Sequence, residues 1–463
     1  MLRPAEFSLP LPRRRALALG TIPLLGAFAP PLRAMPAVGA PPRAKSCVFI
    51  FLFGGPSHID LWDLKPHAPA EIRGDFRPID TVAPGVSIGE HLPLIAQRTD
   101  KLCLLRSMTH AMPVHGPACS EMYSGRPYFG PPVTDQATPQ DWPSIASLVH
   151  RFGAQRPGLP NSVVLPWYSQ FVGQDKRIAG QTGGRMGEEF NPFLVLGNPT
   201  ERTFGVDGLA LDRPEFDAQR FRARSELRRR LALEKSIDGP MAALLGDQFD
   251  QATRMIDSGT AADAFQLHKE PDTAREKYGR TKFGQSLLAA RRLVEAGVSL
   301  LTVNWDDDSR FDKVSPHWDT HHHNFSKLKD GLCPPFDRAF SAFLDDLSER
   351  GLLDTTLVVV TGEFGRSPKI GQITQNGMTE KTGRDHWPHA FTVLLAGGGV
   401  AGGRAYGATT ATGGYVADSP VTPADLSATI LSYLGIDPHR EYDDRFQKMR
   451  QSLSEGRVIE GLG

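Results

Sequence analysis

The chain has 463 residues, enough for one large domain or two ordinary ones, and its 52 Lys and Arg residues balance 52 Asp and Glu residues. A formal net charge of zero argues against nucleic acid as a main partner, because binding a phosphate backbone needs a surplus of basic side chains. With 40% apolar and 22% charged residues, the composition is that of a globular protein with a sizeable core.

The first forty residues predict an export signal. Three consecutive arginines, residues 13–15, precede an apolar run from Ala16 to Ala29, and small residues and prolines follow up to Ala40. This order is typical of a secretory signal peptide, and the adjacent arginines favour the twin-arginine route over an ordinary export signal. We therefore expect a periplasmic or secreted protein. The apolar run is too short to span a membrane, so no integral membrane segment is expected after the signal is removed.

The segment after the signal begins with a predicted buried strand. Val48 to Phe53 is an unbroken apolar run that ends at Gly54-Gly55-Pro56. A run without polar alternation indicates a strand covered on both faces, as in a parallel sheet. Because sites in open α/β sheets gather at the carboxyl ends of strands, Asp60 is a candidate metal ligand, with a turn or cap residue as the alternative. His115, predicted to lie in a loop, is a second site candidate.

The remaining chain, residues 45–463, is expected to form a single domain. Residues of about 130–260 are rich in Pro and Gly and then in Arg, which predicts loops and helices that decorate or lid the core. From Thr281 onward, predicted helices and strands alternate, which favours a parallel sheet with helices on both faces. The predicted elements are a helix ending at Gly297, a strand at Val298–Val303, a helix over Phe336–Leu347 with Gly351 as its left-handed cap, strands at Thr356–Thr361 and Phe391–Leu395, and a helix from Thr422 through Leu434.

Three C-terminal segments place ligand-type side chains next to predicted strands. His317–Phe325 follows the strand at Val298–Val303 and holds four histidines within seven residues, Gly362–Arg366 follows Thr356–Thr361, and Gly383–His389 precedes Phe391–Leu395. Carboxylates and imidazoles bind Zn²⁺ and similar ions, so these segments predict a metal site, with a polar network or an exposed loop as the alternative. The candidate ligands are Asp60, Asp319, His321, His323, Glu363, Asp385 and His386.

Two arginines in these segments are candidate substrate-binding residues. Arg366 and Arg384 can each bind an anionic substrate oxygen through bidentate contacts, with a structural ion pair as the alternative for each.

Six blocks of this sequence resemble the bacterial DUF1501 family, an exported family related to sulfatases and alkaline phosphatases. The blocks are Phe51–Pro66, Lys277–Val303, His317–Phe325, Asp337–Ile370, Gly383–Pro388 and Thr422–Pro438. The resemblance covers essentially the whole chain after the signal. It implies an alkaline-phosphatase-like α/β/α sandwich with a largely parallel central sheet and helices on both faces.

The resemblance also implies a site. Enzymes of the superfamily bind one or two divalent metals at strand ends, where an oxygen nucleophile attacks phosphorus or sulfur. Asp319 with a following histidine is similar to their central metal motif: the family resemblance favours His321, and the wider spacing of alkaline phosphatases favours His323. Glu363 is similar in place to the Asp of the sulfatase Asp-His-Gly motif. The last superfamily histidine resembles His386, with Asp385 beside it.

Two departures from the superfamily pattern concern the nucleophile and the first strand. Gly54 and Gly55 stand where an acidic residue usually ends the first strand, which leaves Asp60 as a substitute. Aligning Ser124-Gly125 with the end of the sulfatase nucleophile block puts His115 in the nucleophile position. His115 is therefore the candidate catalytic residue, as nucleophile, ligand or remnant, and ligation is favoured. Cys119 lacks the modification motif, and Ser120 and Thr109 remain further nucleophile candidates.

These observations predict an exported metal-dependent hydrolase acting on phosphate or sulfate esters. The substrate would be an anionic small molecule or a glycan ester. The cofactor would be zinc, calcium, magnesium or manganese, and the histidine ligands favour zinc or manganese. The alternative is a non-catalytic exported protein that retains the fold and binds a metal or a glycan.

Overall fold

The structure is a computed structural model that describes residues 42–130, 137–171, 177–195, 197–201, 204, 218–234, 252–312, 314–374 and 381–463. Residues from Pro41 to Gly463 form one compact unit. The predicted signal at residues 1–40 lies outside the described residues, as does part of the 130–260 segment. None of the helices in the described ranges has the length and apolar character that a membrane crossing requires.

The centre of the fold is a large mixed sheet, with eight strands in the described part of the chain. They are β1 (Ser46–Phe51), β2 (Leu102–Met108), β3 (Ser162–Leu165), β4 (Phe193–Leu194), β5 (Leu300–Asn304), β6 (Thr356–Thr361), β7 (Phe391–Ala396) and β8 (Arg404–Tyr406). Their order across the sheet is β8-β2-β7-β6-β1-β5-β3-β4. Neighbouring strands are parallel except where β7 pairs with β6 and β2. The predicted α/β class with a largely parallel sheet is confirmed.

Helices cover both faces of this sheet. The longer ones are α1 (His115–Ser124), α2 (Ile145–Phe152), α3 (Ala218–Glu234), α4 (Lys282–Ala296), α5 (Cys333–Glu349) and α6 (Pro423–Tyr433). Successive side chains of a strand point to opposite faces, so Val48 and Ile50 of β1 join one core with α4 and α5. Phe49 and Phe51 join a second core with α1, α2 and α6. The sandwich expected from the resemblance is therefore present.

Smaller elements connect these layers. The short helices are His58–Leu61, Ala70–Arg73, Pro93–Ala96, residues 252–258, Thr260–Phe265, Asp272–Lys277, Asn324–Ser326 and a π-helical turn at Lys327–Leu332, with 3₁₀ turns at Thr99–Lys101, Gly184–Met186, Glu188–Phe190, Leu267–Lys269, Asp308–Phe311 and Leu353–Thr355. The short strands are Pro78–Asp80, Ser87–Gly89, Gly365–Arg366, His386–Trp387, Ala408–Thr409, Val416–Asp418, Glu441–Asp444 and Met449–Ser452.

The helix ends predicted from the sequence are confirmed. Gly297 takes the left-handed conformation after α4, with φ of 105°, and Gly351 does so after α5, with φ of 65°. Thr422 caps α6 in a capping box with Asp425, which satisfies backbone amides that the helix itself leaves unpaired.

Two regions differ from the expectation. The 130–260 segment does not only decorate the core, because β3 and β4 within it extend the main sheet beyond β5. Both strands are too short to be distinguished from loops by sequence pattern, and their strand character comes from pairing, of β3 with β5 and of β4 with β3. His115, expected in a loop, is the first residue of α1. Because β1, β3, β5 and β6 are parallel, their carboxyl ends meet at one edge of the sheet.

Candidate metal centre

Among the described residues, four buried side chains bring one potential ligand atom each to within 4.8 Å of one another: His115, Asp319, His321 and His386. His115 comes from the start of α1, Asp319 and His321 from the segment after β5, and His386 from the short strand before β7. The structure thus brings together three predicted ligands and the candidate catalytic residue His115 from three separate parts of the chain.

The carboxylate of Asp319 lies at the centre of this group. Its Oδ2 is 3.1 Å from Nε2 of His115, and its Oδ1 is 3.1 Å from Nε2 of His321 and 3.4 Å from Nε2 of His386. The Nε2 atoms of His321 and His386 are only 2.9 Å apart. All three imidazoles therefore direct the same ring nitrogen toward one point.

The other nitrogen of each imidazole faces an outer acceptor. Nδ1 of His115 bonds a carboxylate oxygen of Glu363, Nδ1 of His386 lies 2.8 Å from the carbonyl oxygen of Pro113, and Nδ1 of His321 lies 3.4 Å from Oδ1 of Asp385. A carbonyl oxygen only accepts, so His386 donates from Nδ1 and keeps its Nε2 lone pair for the centre. Outer acceptors of this kind orient histidines that bind metals. This donor set fits a divalent ion.

Arg366 provides a positive charge beside the group. Its Nη2 is 2.5 Å from Oδ1 of Asp319, and its other bonds go to the backbone oxygens of Gly54, Gly55, Trp318 and Arg384. Its side chain has no exposed surface. These contacts fix the Asp319 carboxylate, and they leave Arg366 without access to a substrate, so the structure gives this residue a positioning role instead of the expected substrate contact.

Gly54 explains why the first strand ends in glycines and not in an acidic residue. Its φ is 112°, and an added Cβ would collide with the backbone nitrogen of Asp319. Its own N–H donates to both carboxylate oxygens of Glu363, at 3.0 and 3.1 Å. The strand end thus supports the carboxylate that orients His115.

Charge is unevenly distributed among the histidines. Burial opposes a charge on His115, but Asp319 and Glu363 outweigh it and raise the pKa of His115 to about 9. Burial and the charge of His115 lower the pKa of His386 to about 3. Burial would also raise the pKa of Asp319, but Arg366 and His115 hold it well below the usual range. A metal ion entering this group would displace the proton from His115.

Glu363 and Asp385, both predicted as ligands, lie one layer outside the group. Glu363 is fully buried and contacts His115, while Asp385 contacts His321 and accepts the backbone N–H of Thr374 at 2.6 Å. The structure therefore places Glu363 as the hydrogen-bond partner of His115, and Asp385 beside His321 at 3.4 Å with no hydrogen bond between the two, instead of in the expected ligand positions.

The structure keeps Asp60 away from the group. Its carboxylate receives both Nε and Nη2 of Arg384, at 2.8 and 2.9 Å, as well as Ser57 and Asn324 at 2.6 and 2.9 Å. Both partners of the Asp60–Arg384 pair are fully buried. The expected ligand role of Asp60 and the expected substrate-binding role of Arg384 are corrected to a structural ion pair, because each charge already satisfies the other.

His323 also lies outside the group. It is exposed, has a φ of 54°, and precedes the short helix Asn324–Ser326. His321 is therefore the histidine that accompanies Asp319.

Of the other nucleophile candidates, Ser120 is buried on α1 against Gly180, and Thr109 follows β2, where its backbone N–H bonds the carbonyl oxygen of Val421.

An aspartate–histidine pair near the group was not predicted. Nδ1 of His317 lies 3.0 Å from Oδ1 of Asp307, and His317 has a φ of 52°, a strained value for a residue with a side chain. Burial alone would raise the pKa of Asp307, but His317 and neighbouring hydrogen bonds outweigh it and lower this pKa to about 2. The three consecutive aspartates that begin two residues after the end of β5, residues 306–308, are the signal that could have revealed it.

Solved structures similar to this chain are distant in sequence. Ps i-CgsB in complex with a neocarrahexaose is 12% identical, with a TM-score of 0.40, over 85% of this chain and 72% of that chain. The PsFucS1 sulfatase from Pseudoalteromonas sp. is 12% identical, with a TM-score of 0.37, over 85% and 68%. A protein in the alkaline phosphatase superfamily from Vibrio parahaemolyticus is 10% identical, with a TM-score of 0.38, over 88% and 72%.

No curated protein matches the chain. A family profile does match: the one described as "Protein of unknown function (DUF1501)" covers residues 44–462. That range includes every element of the sheet and all four members of the metal group. The chain belongs to the DUF1501 family.

Proposed function

We propose that this protein is a metal-dependent hydrolase of phosphate or sulfate esters. One observation carries the proposal: three buried imidazoles turn Nε2 toward the Asp319 carboxylate while their Nδ1 atoms face outer acceptors. A cluster held only by its own hydrogen bonds would not need all three rings in this common orientation.

His115, Asp319, His321 and His386 would hold the ion. Three nitrogens and one carboxylate favour zinc, or manganese, over calcium and magnesium, which prefer oxygen ligands. A divalent ion in such a site acts as a Lewis acid on an ester oxygen. Glu363 and Asp385 would keep the rings oriented, and Arg366 would hold Asp319 in place.

We assign His115 to ligation and not to nucleophilic attack. Both of its ring nitrogens are engaged, Nδ1 by Glu363 and Nε2 by Asp319 at 3.1 Å. It is also the most exposed member, with 12% of its side chain accessible against 7% for Asp319 and 4% for His321. A substrate would therefore approach the group from the side of His115, and an anionic small molecule or a glycan ester is the proposed substrate.

Export by the twin-arginine route is part of the proposal. It rests on the sequence of residues 1–40 alone, and the test is N-terminal sequencing of the protein from the periplasmic fraction, with and without lysines in place of Arg14 and Arg15. Cytoplasmic retention of both forms would contradict it.

The second candidate is a non-catalytic protein that retains the metal group and binds a metal or a glycan. It is favoured by the placement of Ser120 against Gly180 and of Thr109 beside Val421, which leaves neither proposed hydroxyl nucleophile in the group.

The test begins with metal content by elemental analysis. The protein from Lys45 onward is compared with the Asp319→Ala/His321→Ala double variant and with His323→Ala, a matched histidine control outside the group. Bound metal in the wild type and in His323→Ala, lost in the double variant, is the expected result. Metal that stays bound in the double variant, or that is absent from the wild type after incubation with zinc and manganese, contradicts the proposal.

Activity then separates the two candidate functions. The metal-loaded protein is screened with p-nitrophenyl phosphate, bis-p-nitrophenyl phosphate and p-nitrophenyl sulfate. Turnover that the double variant lacks supports the hydrolase. A protein that keeps its metal and turns over none of these esters supports the binding protein.

A further inference from the structure

A cavity of about 210 Å³ opens at the same sheet edge as the metal group. Most of its lining comes from the ends of three adjacent parallel strands: Phe53 after β1, residues 167–171 after β3, and residues 304–306 at the end of β5. Arg310 and His317 complete the lining. Ligands of open α/β sheets bind at such strand ends. The cavity is therefore where the fold would place a ligand.

The cavity adjoins the most exposed member of the metal group. The ring centres of Phe53 and His115 are 5.5 Å apart, and those of Phe171 and His115 are 6.2 Å apart. Phe53 and Phe171 also contact each other edge to face, with centres 5.6 Å apart. These two rings lie between His115 and the cavity, so the cavity is adjacent to the metal group.

Aromatic side chains line two sides of the cavity. Phe53 and Phe171 form the side toward the metal group, and Trp167, which is half-buried, forms another. Lys282 and Arg310 lie over the Trp167 ring, with the ammonium nitrogen and the guanidinium carbon 5.6 and 5.4 Å from its centre. These cations hold the indole in place.

The polar wall has balanced charges. The buried carboxylate of Asp306 lies 3.1 Å from Nζ of Lys282 and 3.6 Å from Nη1 of Arg310, and exposed Asp308 lies 3.6 Å from the same Nζ. Of these four side chains, Asp306 and Arg310 line the cavity, one carboxylate and one cation, together with His317, which pairs with Asp307 at 3.0 Å. This arrangement does not select for an anion, but it offers acceptors and donors side by side, as hydroxyl groups require.

We propose that this cavity binds one uncharged sugar ring. Aromatic faces suit the apolar faces of a pyranose, and the Asp306 and Arg310 side chains suit its hydroxyls. The volume is below the roughly 300–1,000 Å³ typical of pockets for drug-sized ligands, which fits a single ring. Building on the proposed function, this ring is the alcohol part of an ester whose anionic group faces the metal centre.

The test measures sugar binding without any reaction. The protein from Lys45 onward is titrated with methyl glycosides of glucose, galactose and mannose, followed by saturation-transfer NMR, and p-nitrophenol is the aromatic comparison. We expect one of the glycosides to bind, and Trp167→Ala to raise its Kd by about tenfold or more. Trp142→Ala is the matched control, because two cationic side chains, Arg126 and Arg185, also lie over the Trp142 ring, at 5.0 and 4.1 Å, but Trp142 does not line this cavity. The Kd of the Trp142→Ala variant for the glycoside should equal that of the wild type.

Binding should persist in the Asp319→Ala/His321→Ala variant, because the cavity residues do not include these ligands. Absence of binding by every glycoside, equal effects of the two tryptophan variants, or preferential binding of p-nitrophenol at Trp167 would each overturn the sugar assignment. Ester hydrolysis without glycoside binding would defeat this inference alone. Glycoside binding without metal or hydrolysis would defeat only the proposed function.

Discussion

Arg366 and Asp319 form a buried ion pair at the candidate metal group, with Nη2 2.5 Å from Oδ1 and no exposed surface on the arginine side chain. The central carboxylate of the group therefore has a permanent cation on one side before any metal arrives. Removing that cation would leave the protonated His115 as the main positive charge that compensates the buried Asp319 carboxylate before a metal binds.

This relationship predicts that Arg366→Gln destabilises the metal-free protein more than the metal-loaded protein. Breaking a buried ion pair costs about 3–5 kcal/mol, and a bound metal would compensate part of the Asp319 charge. The measurement is denaturant unfolding with chelator and with zinc. Arg98→Gln is the control: its pair with Asp345 is half-exposed, so its smaller effect of about 1 kcal/mol or less should be the same in both conditions. Equal losses for Arg366→Gln with and without zinc would contradict the prediction.

Gly54→Ala should abolish metal binding as well as reduce stability. Its added Cβ meets the backbone of Asp319, whereas an added Cβ at Gly351 meets nothing within 4 Å although that φ is also positive. Gly351→Ala should therefore show only the backbone cost of about 1–2 kcal/mol and keep its metal. Elemental analysis and denaturant unfolding of both variants measure the difference. Full metal content in Gly54→Ala would show that the strand end does not position Asp319.

Glu363→Gln should weaken metal binding without preventing folding. The amide can still bond Nδ1 of His115, but it loses the negative charge that makes this imidazole a stronger ligand. Loss of such an outer partner typically costs about 10- to 100-fold in metal affinity. Competition with a chromogenic chelator gives the affinity, and Glu121→Gln, on the same helix as His115 but bonded to the backbone N–H of Tyr128 at 3.1 Å, is the control. An unchanged affinity in Glu363→Gln would remove its orienting role.

The Asp60→Asn variant tests whether Asp60 stabilises the fold or binds the metal. We expect a loss of about 3–5 kcal/mol in the free energy of unfolding, because Arg384 remains buried without its carboxylate partner. The metal content of the folded variant should equal that of the wild type. A folded Asp60→Asn variant that has lost its metal would restore Asp60 as a ligand.

The buried His58 imidazole should make the free energy of unfolding depend on pH. Burial lowers its pKa below the ordinary value, although the Gly413 carbonyl that its Nε2 contacts at 2.8 Å and the nearby Asp63 partly oppose this. The unfolded chain therefore takes up the proton first, so the folded state loses stability as pH falls below about 6.5, by at most about 1.4 kcal/mol per unit. In His58→Gln, which can still donate to Gly413, the fall should be shallower by that amount.

The measurement is denaturant unfolding in chelator from pH 7.5 down to 5.5, a range chosen to bracket the ordinary histidine pKa of about 6.5. Exposed His67→Gln serves as a surface control and should follow the wild type. Parallel curves for the wild type and His58→Gln would exclude His58 as the source of the dependence.

The buried strands and the ends of the later helices could be predicted because each has a local cause. Thr356–Thr361 is apolar in its interior and is buried on both faces, and Gly297 and Thr422 end and begin helices through their own conformations and hydrogen bonds. β3 was not predicted, because a four-residue run between prolines becomes a strand only when β5 lies beside it.

The residue types of the site could be predicted from the sequence, but the pairings between its side chains could not. Residue type and position at strand ends indicated the segments that hold Asp319 and His386, and the family resemblance favoured His321 over the alternative. The sequence could not show that Arg384 binds Asp60 or that Glu363 binds His115. Both are long-range pairs, and the same carboxylate chemistry suits a ligand, an orienting partner or an ion pair. Only the three-dimensional arrangement separates these roles.

The four members of the metal group come from the first helix of the sandwich, the loop after β5 and the short strand before β7. No single segment of the chain contains enough of them to retain an ion, so the complete centre exists only after early and late parts of the chain have docked. Metal capture would then mark the completion of folding. If the chain crosses a membrane already folded, the compartment of synthesis, and not the destination, determines which ion it carries.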